Sequence, residues 1–390
     1  MKILYVSSVM SKEFFDKLMP KLKVKTYYSI QKFHNLIIDG LNNDNNIKIT
    51  ALCGIPISRN NTKKTFWGKK YIKENGIEYI HCPFINIKGL KQIFISISMF
   101  IETLKWIIRT KKEKRIIICD SSYISVTPQV NFLAKKFKIK VIGIVADIYK
   151  YMLPNKNILA KYSWDSYSGY VFLTEPMNSL INTRNVPYIV MEGLVDIQTE
   201  KVVNLLKDKY KEKVCVYAGG LNEKYGIKSL IEGFINIENK DAKLYLYGIG
   251  DMVDYINQLD NDKVKYFGNV ANEEVLEAER KATLLLNPRF SNQDYTKYSF
   301  PSKIMEYMAS GTPVLTTKLQ GIPEEYNNYL YYIEDETADG IKKAIETTLN
   351  KSKEELHRFG LEAQKFALDN KNNITQAKRI IHFTRILDKN

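Results

Sequence analysis

The stretch YSFPSKIMEYMASGTPVLTT, residues 298–317, predicts a loop, a short helix, a glycine stop and a buried strand. Pro301 suits the first helical turn because its missing N–H would have no helical partner there. Gly311 suits the position just after the helix, where glycine adopts the left-handed conformation at little cost. Pro313 blocks further helix, and the apolar residues after it begin a strand.

One face of this helix carries polar groups suited to a nucleotide. Ser302, Lys303 and Glu306 are placed to share that face. The N–H groups of the first turn and the Lys303 ammonium group form an anion site. Glu306 can accept two hydrogen bonds from a vicinal diol, so the pattern describes a nucleoside diphosphate with its ribose. A normally capped helix with a surface glutamate fits the spacing equally well.

The segment resembles the C-terminal signature of retaining, family 4-like glycosyltransferases (group 1) with the GT-B fold, of a kind found in surface-polysaccharide assembly. The resemblance implies transfer of a sugar from a nucleotide-sugar donor, with Glu306 as the second acid of the E-x7-E motif and the ligand of the donor ribose. The first acid falls at Tyr298, so the chain departs from the pattern at that position. The resemblance covers about Val214 to Glu325 and is weaker over the N-terminal half.

A glycine pair provides a second candidate element for donor binding. Gly219 and Gly220 follow a predicted strand and precede a helix, where glycine lets a phosphate approach the backbone. In the resembled family this loop is G-R-x(n)-K-G, and its two cations bind the donor diphosphate. Here those positions hold Gly220 and Tyr225, so other cations are needed. We expect Arg289 and Lys303 to supply them, although Arg289 could also be a surface residue after a strand.

Two further turns are candidates for donor contacts. Gly248 follows the next strand, where the family has a donor-facing loop, but a lone G-x-G is also found in any tight turn. The resemblance implies that Val270 offers backbone groups to the nucleobase. The alternative at that site is an ordinary helix entrance capped by Asn272. Ser302 completes the expected donor-binding set.

The N-terminal half offers acids for the acceptor. Asp147, in GIVADIYKYM, ends a predicted buried strand and could orient or deprotonate an acceptor hydroxyl, with a helix cap as the alternative. Asp120 is a second candidate, while His34, on the helix predicted over Ser29–Leu41, is interpreted as a plain helix residue. The sequence indicates no metal site or other cofactor, and no carboxylate pair suggests double displacement. The resemblance implies retention by same-face attack, assisted by the leaving diphosphate.

Charge is distributed unevenly along the 390 residues. The net charge is +15, but residues 1–190 hold 30 Lys and Arg against 12 Asp and Glu, whereas the remainder holds 28 against 31. This asymmetry predicts attraction of the N-terminal half to a membrane, a nucleic acid or an acidic substrate. An overall bias toward Lys, Asn and Ile would explain the abundance of lysine but not the asymmetry.

The apolar segment Ile93–Ile108 is followed by the basic run RTKKEKR. A buried helix is the favoured interpretation, and a helix lying in the membrane interface is the alternative.

Met1 leads directly into an apolar strand with no recognisable signal peptide. The four separated cysteines are expected to be reduced core residues. Together these features predict a cytoplasmic protein, peripherally associated with the inner face of the cell membrane.

Alternating strand and helix patterns predict an α/β protein with two Rossmann-like, doubly wound domains facing a central cleft, the GT-B arrangement. We expect an acceptor-binding domain at 1–195, a donor-binding domain at 196–370 and a C-terminal helix at 371–390 that packs back on the first domain.

The predicted function is retaining transfer of a sugar from a nucleotide-diphosphate sugar, with UDP favoured, without a required metal. The acceptor would be a hydroxyl of a glycan or lipid-diphosphate-linked glycan in cell-surface polysaccharide synthesis. Two alternatives remain at this point. One is a GT-B nucleotide-sugar epimerase, and the other is a non-catalytic nucleic-acid-binding protein, which charge alone suggests.

Overall fold

The computed structural model describes residues 1–23, 28–148, 157–201 and 203–389. The chain divides into two compact units. The N-terminal unit comprises Met1–Leu194 with Asn373–Asn390, and the C-terminal unit comprises Val195–Asn372. Each unit is built on a largely or wholly parallel sheet with helices between its strands.

The sheet of the N-terminal unit has the described strand order β10-β9-β8-β7-β1-β2-β5-β4, in which only the β4–β5 pair is antiparallel. Its central strands are buried along most of their length because helices cover a parallel sheet. A small antiparallel pair, β3–β6, lies apart from it. The strands are β1 (Lys2–Ser7), β2 (Lys48–Cys53), β3 (Phe66–Trp67), β4 (Lys70–Glu74), β5 (Ile77–His81), β6 (Phe84–Ile85), β7 (Arg115–Asp120), β8 (Val141–Val145), β9 (Gly169–Phe172) and β10 (Tyr188–Val190).

The described helices of this unit include one from the far end of the chain. They are α1 (Lys12–Leu18), α2 (Tyr28–Asn42), α3 (Leu90–Arg109), α4 (Thr127–Lys136), α5 (Ile158–Ser166), α6 (Glu175–Ile181) and, at the C terminus, α13 (Asn373–Leu387). The terminal helix α13 packs against α2. Gly40 permits this close approach, since a Cβ there would lie 2.1 Å from the Asn373 carbonyl oxygen.

The C-terminal unit has the parallel strand order β13-β12-β11-β14-β15-β16. Its strands are β11 (Lys213–Ala218), β12 (Ala242–Tyr247), β13 (Val264–Gly268), β14 (Leu284–Asn287), β15 (Val314–Thr317) and β16 (Tyr331–Ile333). Its helices are α7 (Ile227–Ile235), α8 (Val253–Asn257), α9 (Asn272–Lys281), α10 (Ser302–Ala309), α11 (Ala338–Leu349) and α12 (Lys353–Asn370). Alternate residues of β11 enter two different core clusters, so both faces of the sheet are buried.

The α/β class and the two parallel-sheet units confirm the predicted fold class. Two local expectations are wrong. Pro301 is the N-cap of α10, which begins at Ser302, and Asn272 is the first residue of α9, with Ala271 as its cap. The sequence also gave no indication of the antiparallel strands β4, β3 and β6.

The predicted buried helix over Ile93–Ile108 is buried on one face only. Within α3, Met99 and Trp106 are buried, whereas Ile93 and Ile97 are exposed. No helix in the described part of the chain has the length and apolarity needed to cross a membrane. All four cysteines are buried and form no disulfide.

Candidate functional site

Several of the predicted site residues lie at one edge of the C-terminal sheet. Gly219 follows β11, Gly248 follows β12, and Arg289 comes two residues after β14. Because β12, β11 and β14 are adjacent and parallel, their carboxyl ends lie at the same edge. Ligands of doubly wound sheets bind beyond this edge. The sheet order therefore brings these three predicted positions together.

Two of the edge glycines are sterically required. Gly219 has φ +145° and Gly248 has φ +124°, values that L side chains rarely adopt. A Cβ at Gly219 would lie 1.7 Å from the Lys303 Nζ atom, and one at Gly248 would lie 1.8 Å from the Gly219 carbonyl oxygen. The two loops and Lys303 thus pack without room for a side chain, and both glycines remain partly exposed.

Helix α10 holds Lys303 in this position. Its buried residues include Ile304, Met308 and Tyr307. The Tyr307 hydroxyl accepts a hydrogen bond from the backbone N–H of Ala218 at 3.0 Å, which ties the helix to the end of β11. The left-handed Gly311 ends the helical segment, as the sequence predicted.

The Lys303 ammonium group is only partly exposed and has an unusual environment. Its Nζ atom lies 4.0 Å from the centroid of the Tyr217 ring. Burial, followed by the Arg289 charge, lowers the pKa of Lys303 to about 7, while Glu279 and Glu306 act in the opposite direction. Within the described residues, this ammonium group donates no hydrogen bond. A bound anion would accept hydrogen bonds from this group and, by raising its pKa, would favour the protonated, charged form of Lys303.

Arg289 lies beside three tyrosines. Its guanidinium carbon is 5.0 Å from the centroid of the Tyr225 ring. Burial raises the pKa values of Tyr217 and Tyr295, and the nearby Arg289 charge partly offsets this effect. Tyr225 occupies the position where the resembled family has its lysine. In this protein the aromatic ring of Tyr225 packs against the guanidinium group of Arg289, which comes from another loop. Sequence spacing could not reveal this contact.

The remaining donor candidates are less constrained. Glu306 is partly buried, and its charge is close enough to act on Lys303. Ser302 is exposed at the start of α10. Val270 is half-buried and packs against the core next to Phe267. The structure therefore places Glu306 near Lys303, while the roles of Ser302 and of the Val270 backbone stay predictions.

Acidic groups occupy the corresponding edge of the N-terminal sheet. Asp120 is the last residue of β7, and Asp147 comes two residues after the neighbouring strand β8. Asp147 is exposed, yet desolvation by the surrounding protein and the Asp120 charge raise the pKa of its carboxyl group. Residues 149–152 of the quoted GIVADIYKYM segment lie outside the described residues.

His34, which the sequence suggested was a plain helix residue, belongs to a buried hydrogen-bonded cluster. Its Nε2 lies 3.3 Å from the Asp120 carboxylate, and its Nδ1 lies 2.7 Å from the Tyr5 hydroxyl. Burial would raise the pKa of Asp120, but His34 and the hydrogen bonds from Ser122 lower it on balance. An ionised Asp120 can only accept, so Nε2 donates to it and, in a neutral imidazole, Nδ1 accepts from Tyr5. The partners were missed because they lie on different elements.

Comparisons with known proteins agree with this architecture. Residues 212–351 match the model of the family described as glycosyl transferases group 1. A curated relative, an uncharacterised glycosyltransferase of Methanocaldococcus jannaschii, is 26% identical over 168 residues, which is 39% of this chain and 42% of the relative. The match thus spans about two-fifths of that relative's length.

Solved structures match over nearly the whole chain. Anabaena HepE in complex with UDP, which has also been solved with UDP-glucose, superposes with a TM-score of 0.63 at 14% identity, over 99% of this chain and 100% of that one. Sucrose-phosphate synthase of Thermosynechococcus elongatus superposes with a TM-score of 0.67 at 12% identity, over 100% and 99% of the two chains.

The likeness to these solved structures assigns the chain, with its two parallel-sheet units, to the GT-B fold. Within the C-terminal unit, residues 212–351 are thus similar to the group 1 glycosyl transferases, the family that the signature segment resembles.

Proposed function

We propose that this protein transfers a sugar from a nucleoside diphosphate sugar to an acceptor hydroxyl, with retention of configuration. The observation that carries the proposal is the pair of cations at the glycine-lined edge of the C-terminal sheet. Lys303 lies against Gly219, and Arg289 is close enough to lower the pKa of Lys303. Two cations beside partly exposed glycine backbone form a site for a diphosphate.

Each group has a definite role in this reaction. Lys303 and Arg289 bind the diphosphate and stabilise the charge that develops on it as the sugar leaves, an electrostatic contribution to catalysis. Gly219 and Gly248 let the phosphates approach the backbone. Glu306 accepts hydrogen bonds from the donor ribose.

UDP is the favoured nucleotide of the donor, with uracil as its base. HepE of Anabaena, which shares the fold, was solved with UDP and with UDP-glucose. Nothing in the donor edge demands a metal for the diphosphate charge, because two side-chain cations already face it. Val270 would offer backbone groups to the uracil ring.

Asp147 is the proposed acceptor-side residue. Its raised pKa makes the carboxylate a better proton acceptor at neutral pH than an ordinary aspartate. Desolvation is the main cause of this raised pKa, and the charge of Asp120, which lies 3.3 Å from His34, adds to it. Asp147 would orient the acceptor hydroxyl for attack.

We further propose that the acceptor is a glycan or lipid-diphosphate-linked glycan of a surface polysaccharide, met at the inner face of the cell membrane. The excess positive charge of residues 1–190 supports this, since it would attract both anionic lipid and a diphosphate-linked acceptor.

A thermal-shift screen against UDP, GDP, ADP, CMP and their sugar conjugates, without added metal, tests the donor site. Ligand at about 100 times its Kd stabilises the folded state by roughly 2.7 kcal/mol. We expect a shift with UDP that disappears in Glu306→Ala and persists in Glu362→Ala, a change at an exposed glutamate of α12. Absence of a shift with every nucleotide, or an equal loss in both variants, would contradict the proposed donor site.

A product assay separates transfer from epimerisation. With radiolabelled UDP-sugar and a lipid-linked acceptor, a transferase moves label to the lipid phase. An epimerase instead changes the sugar of the donor without needing an acceptor, and that outcome would replace the proposed reaction while leaving the donor site in place.

A further inference from the structure

Helix α3 of the N-terminal unit has two unlike faces. One face is buried and includes Ile95, Met99, Trp106 and Ile107. Glu102 also lies on this side, where it pairs with two lysines. These contacts hold the helix on its unit, so its opposite face points away from the core of that unit.

The opposite face of α3 is exposed and apolar. Ile93 keeps 55% of its surface exposed, Ile97 keeps 54% and Ile108 keeps 61%. We call the exposed large apolar residues of this helix the α3 stripe: Leu90, Ile93, Phe94, Ile97, Ile101 and Ile108. Their spacing of three, four or seven residues along most of the helix puts them on one side of it. A continuous apolar surface of this kind marks an interaction site.

Basic residues flank the α3 stripe at both ends. Lys88 is exposed just before the helix, and Lys111 and Lys112 are exposed just beyond its end, where Arg109 is paired with Glu78. They belong to the half of the chain that carries the excess positive charge. An apolar stripe between cationic ends matches the chemistry of a bilayer surface, with acyl chains below anionic headgroups.

We propose that the α3 stripe inserts into the headgroup–acyl boundary of an anionic membrane, with the flanking basic residues on the lipid phosphates. The helix lies along the surface, consistent with its firmly buried inner face and with the finding that no described helix could span a bilayer. This inference rests on the proposed function in that it brings the enzyme to a lipid-linked acceptor. Its test requires neither donor nor acceptor.

The first experiment is cosedimentation of the full chain with vesicles of phosphatidylcholine alone or with phosphatidylglycerol added. We expect binding to the anionic vesicles, and at least about tenfold weaker binding for the triple variant Ile93→Asn, Ile97→Asn, Ile101→Asn, because polar groups resist burial in lipid. Ile386→Asn is the matched control, since that residue is an exposed isoleucine of the same unit on another helix. Equal binding by the triple variant and the control would overturn the proposal.

Charge variants test the flanking residues. Lys111→Glu with Lys112→Glu should weaken anionic-vesicle binding at least about tenfold. Lys240→Glu with Lys343→Glu makes the same change at exposed lysines of the C-terminal unit and should leave binding unchanged. Equal losses would show a nonspecific effect of net charge and contradict the assigned surface.

Insertion is measured directly with Phe94→Trp. The native tryptophans Trp67, Trp106 and Trp164 are buried, so the new indole would dominate quenching by brominated lipid. We expect strong quenching in anionic vesicles. No quenching, or a dimer in light scattering that the triple variant converts to a monomer, would overturn the proposal and assign the α3 stripe to a protein surface. UDP binding by the same variants reports separately on the donor site.

Discussion

Two lysines of the C-terminal unit have the same shifted pKa and opposite surroundings. Burial lowers the pKa of both Lys209 and Lys303 to about 7. The Lys209 ammonium group donates to two backbone carbonyl oxygens, at 2.8 and 2.9 Å, and to the Thr312 hydroxyl at 2.7 Å. The Lys303 ammonium group, within the described residues, has an aromatic face and glycine backbone instead of acceptors.

This difference distinguishes a structural lysine from the lysine that we propose binds the donor. Native proteins satisfy nearly all buried donors, because an unsatisfied donor costs free energy. Lys209 is satisfied by its own unit and joins the end of α9 to the turn before β15. Lys303 has its donors available, which is what a site for a diphosphate requires. A perturbed pKa alone would not have distinguished the two.

Replacement of each lysine by methionine should give the largest effects and test the distinction between the two lysines most directly. Lys303→Met should weaken UDP binding by roughly 100-fold, since a hydrogen bond to a charged group contributes about 1.5–3 kcal/mol and a full charge is also lost. Its stability should stay the same or rise. Isothermal titration calorimetry with UDP measures the first effect.

Lys209→Met serves as the reciprocal variant. It should lower the free energy of unfolding by roughly 2 kcal/mol, because three acceptors lose their donor, and should leave the UDP affinity unchanged. Urea unfolding measures this loss. If Lys209→Met impaired UDP binding as strongly as Lys303→Met, the distinction between the two lysines would be wrong.

The pH dependence of UDP binding should reveal the Lys303 charge. In the free protein this lysine loses its proton as the pH rises through about 7, so UDP affinity should fall above pH 7, by up to about tenfold per unit. Below about pH 6 the terminal phosphate of UDP is protonated, which also weakens binding. An affinity maximum between about pH 6 and 7 is expected.

Lys303→Arg tests this assignment, because a guanidinium stays charged throughout the range. Its UDP affinity should be flat from pH 7 to 9. Titrations in two buffers of different ionisation enthalpy should show uptake of nearly one proton per UDP at pH 8 in the native protein and none in the variant. Proton uptake that is identical in both would assign the titration to another group.

The same depressed pKa affects folding stability. Between about pH 7 and the ordinary lysine pKa near 10.4, the unfolded chain holds the Lys303 proton and the folded chain does not. The contribution of Lys303 to the free energy of unfolding therefore rises with pH across this window. In Lys303→Met the contribution of Lys303 to the slope should be absent, while that of Lys209, whose pKa is also lowered to about 7, should remain.

The smallest expected effect concerns Tyr225, which supports Arg289. Tyr225→Ala should weaken UDP binding about fivefold, in line with a cation–π contribution of about 1 kcal/mol. Tyr225→Phe keeps the aromatic face and should bind UDP almost normally. Equal losses in the two variants would indicate that the hydroxyl, and not the ring, contributes to the site.

Local sequence patterns predicted most of the architecture. Val141–Val145 forms a strand with the predicted bounds, and the signature helix ends at Gly311 as expected. Short apolar runs and glycine stops act within a few residues, so they can be recognised without tertiary information. The error at Asn272 has a local cause as well, because the described start of α9 has no side-chain cap that the sequence could have revealed.

The chemistry of the candidate site depended more on tertiary structure. Lys303, Glu306 and the glycines were identifiable from spacing and resemblance. The support of Arg289 by Tyr225, the hydrogen bonds of His34 and the exposed face of α3 were not. Each involves side chains from elements far apart in the chain, or a choice between two apolar faces of one helix.

The sequence by itself determined the two α/β units, the helix of the signature segment and the uneven charge. Periodicity and turn residues act within a few positions of the chain, and net charge is a sum over its residues. Only the tertiary structure decided that Lys303 has donors available while Lys209 does not, and that α3 presents an apolar stripe to its surroundings. Burial and hydrogen-bond satisfaction depend on which distant residues become neighbours, and strand order, not sequence spacing, sets those neighbours.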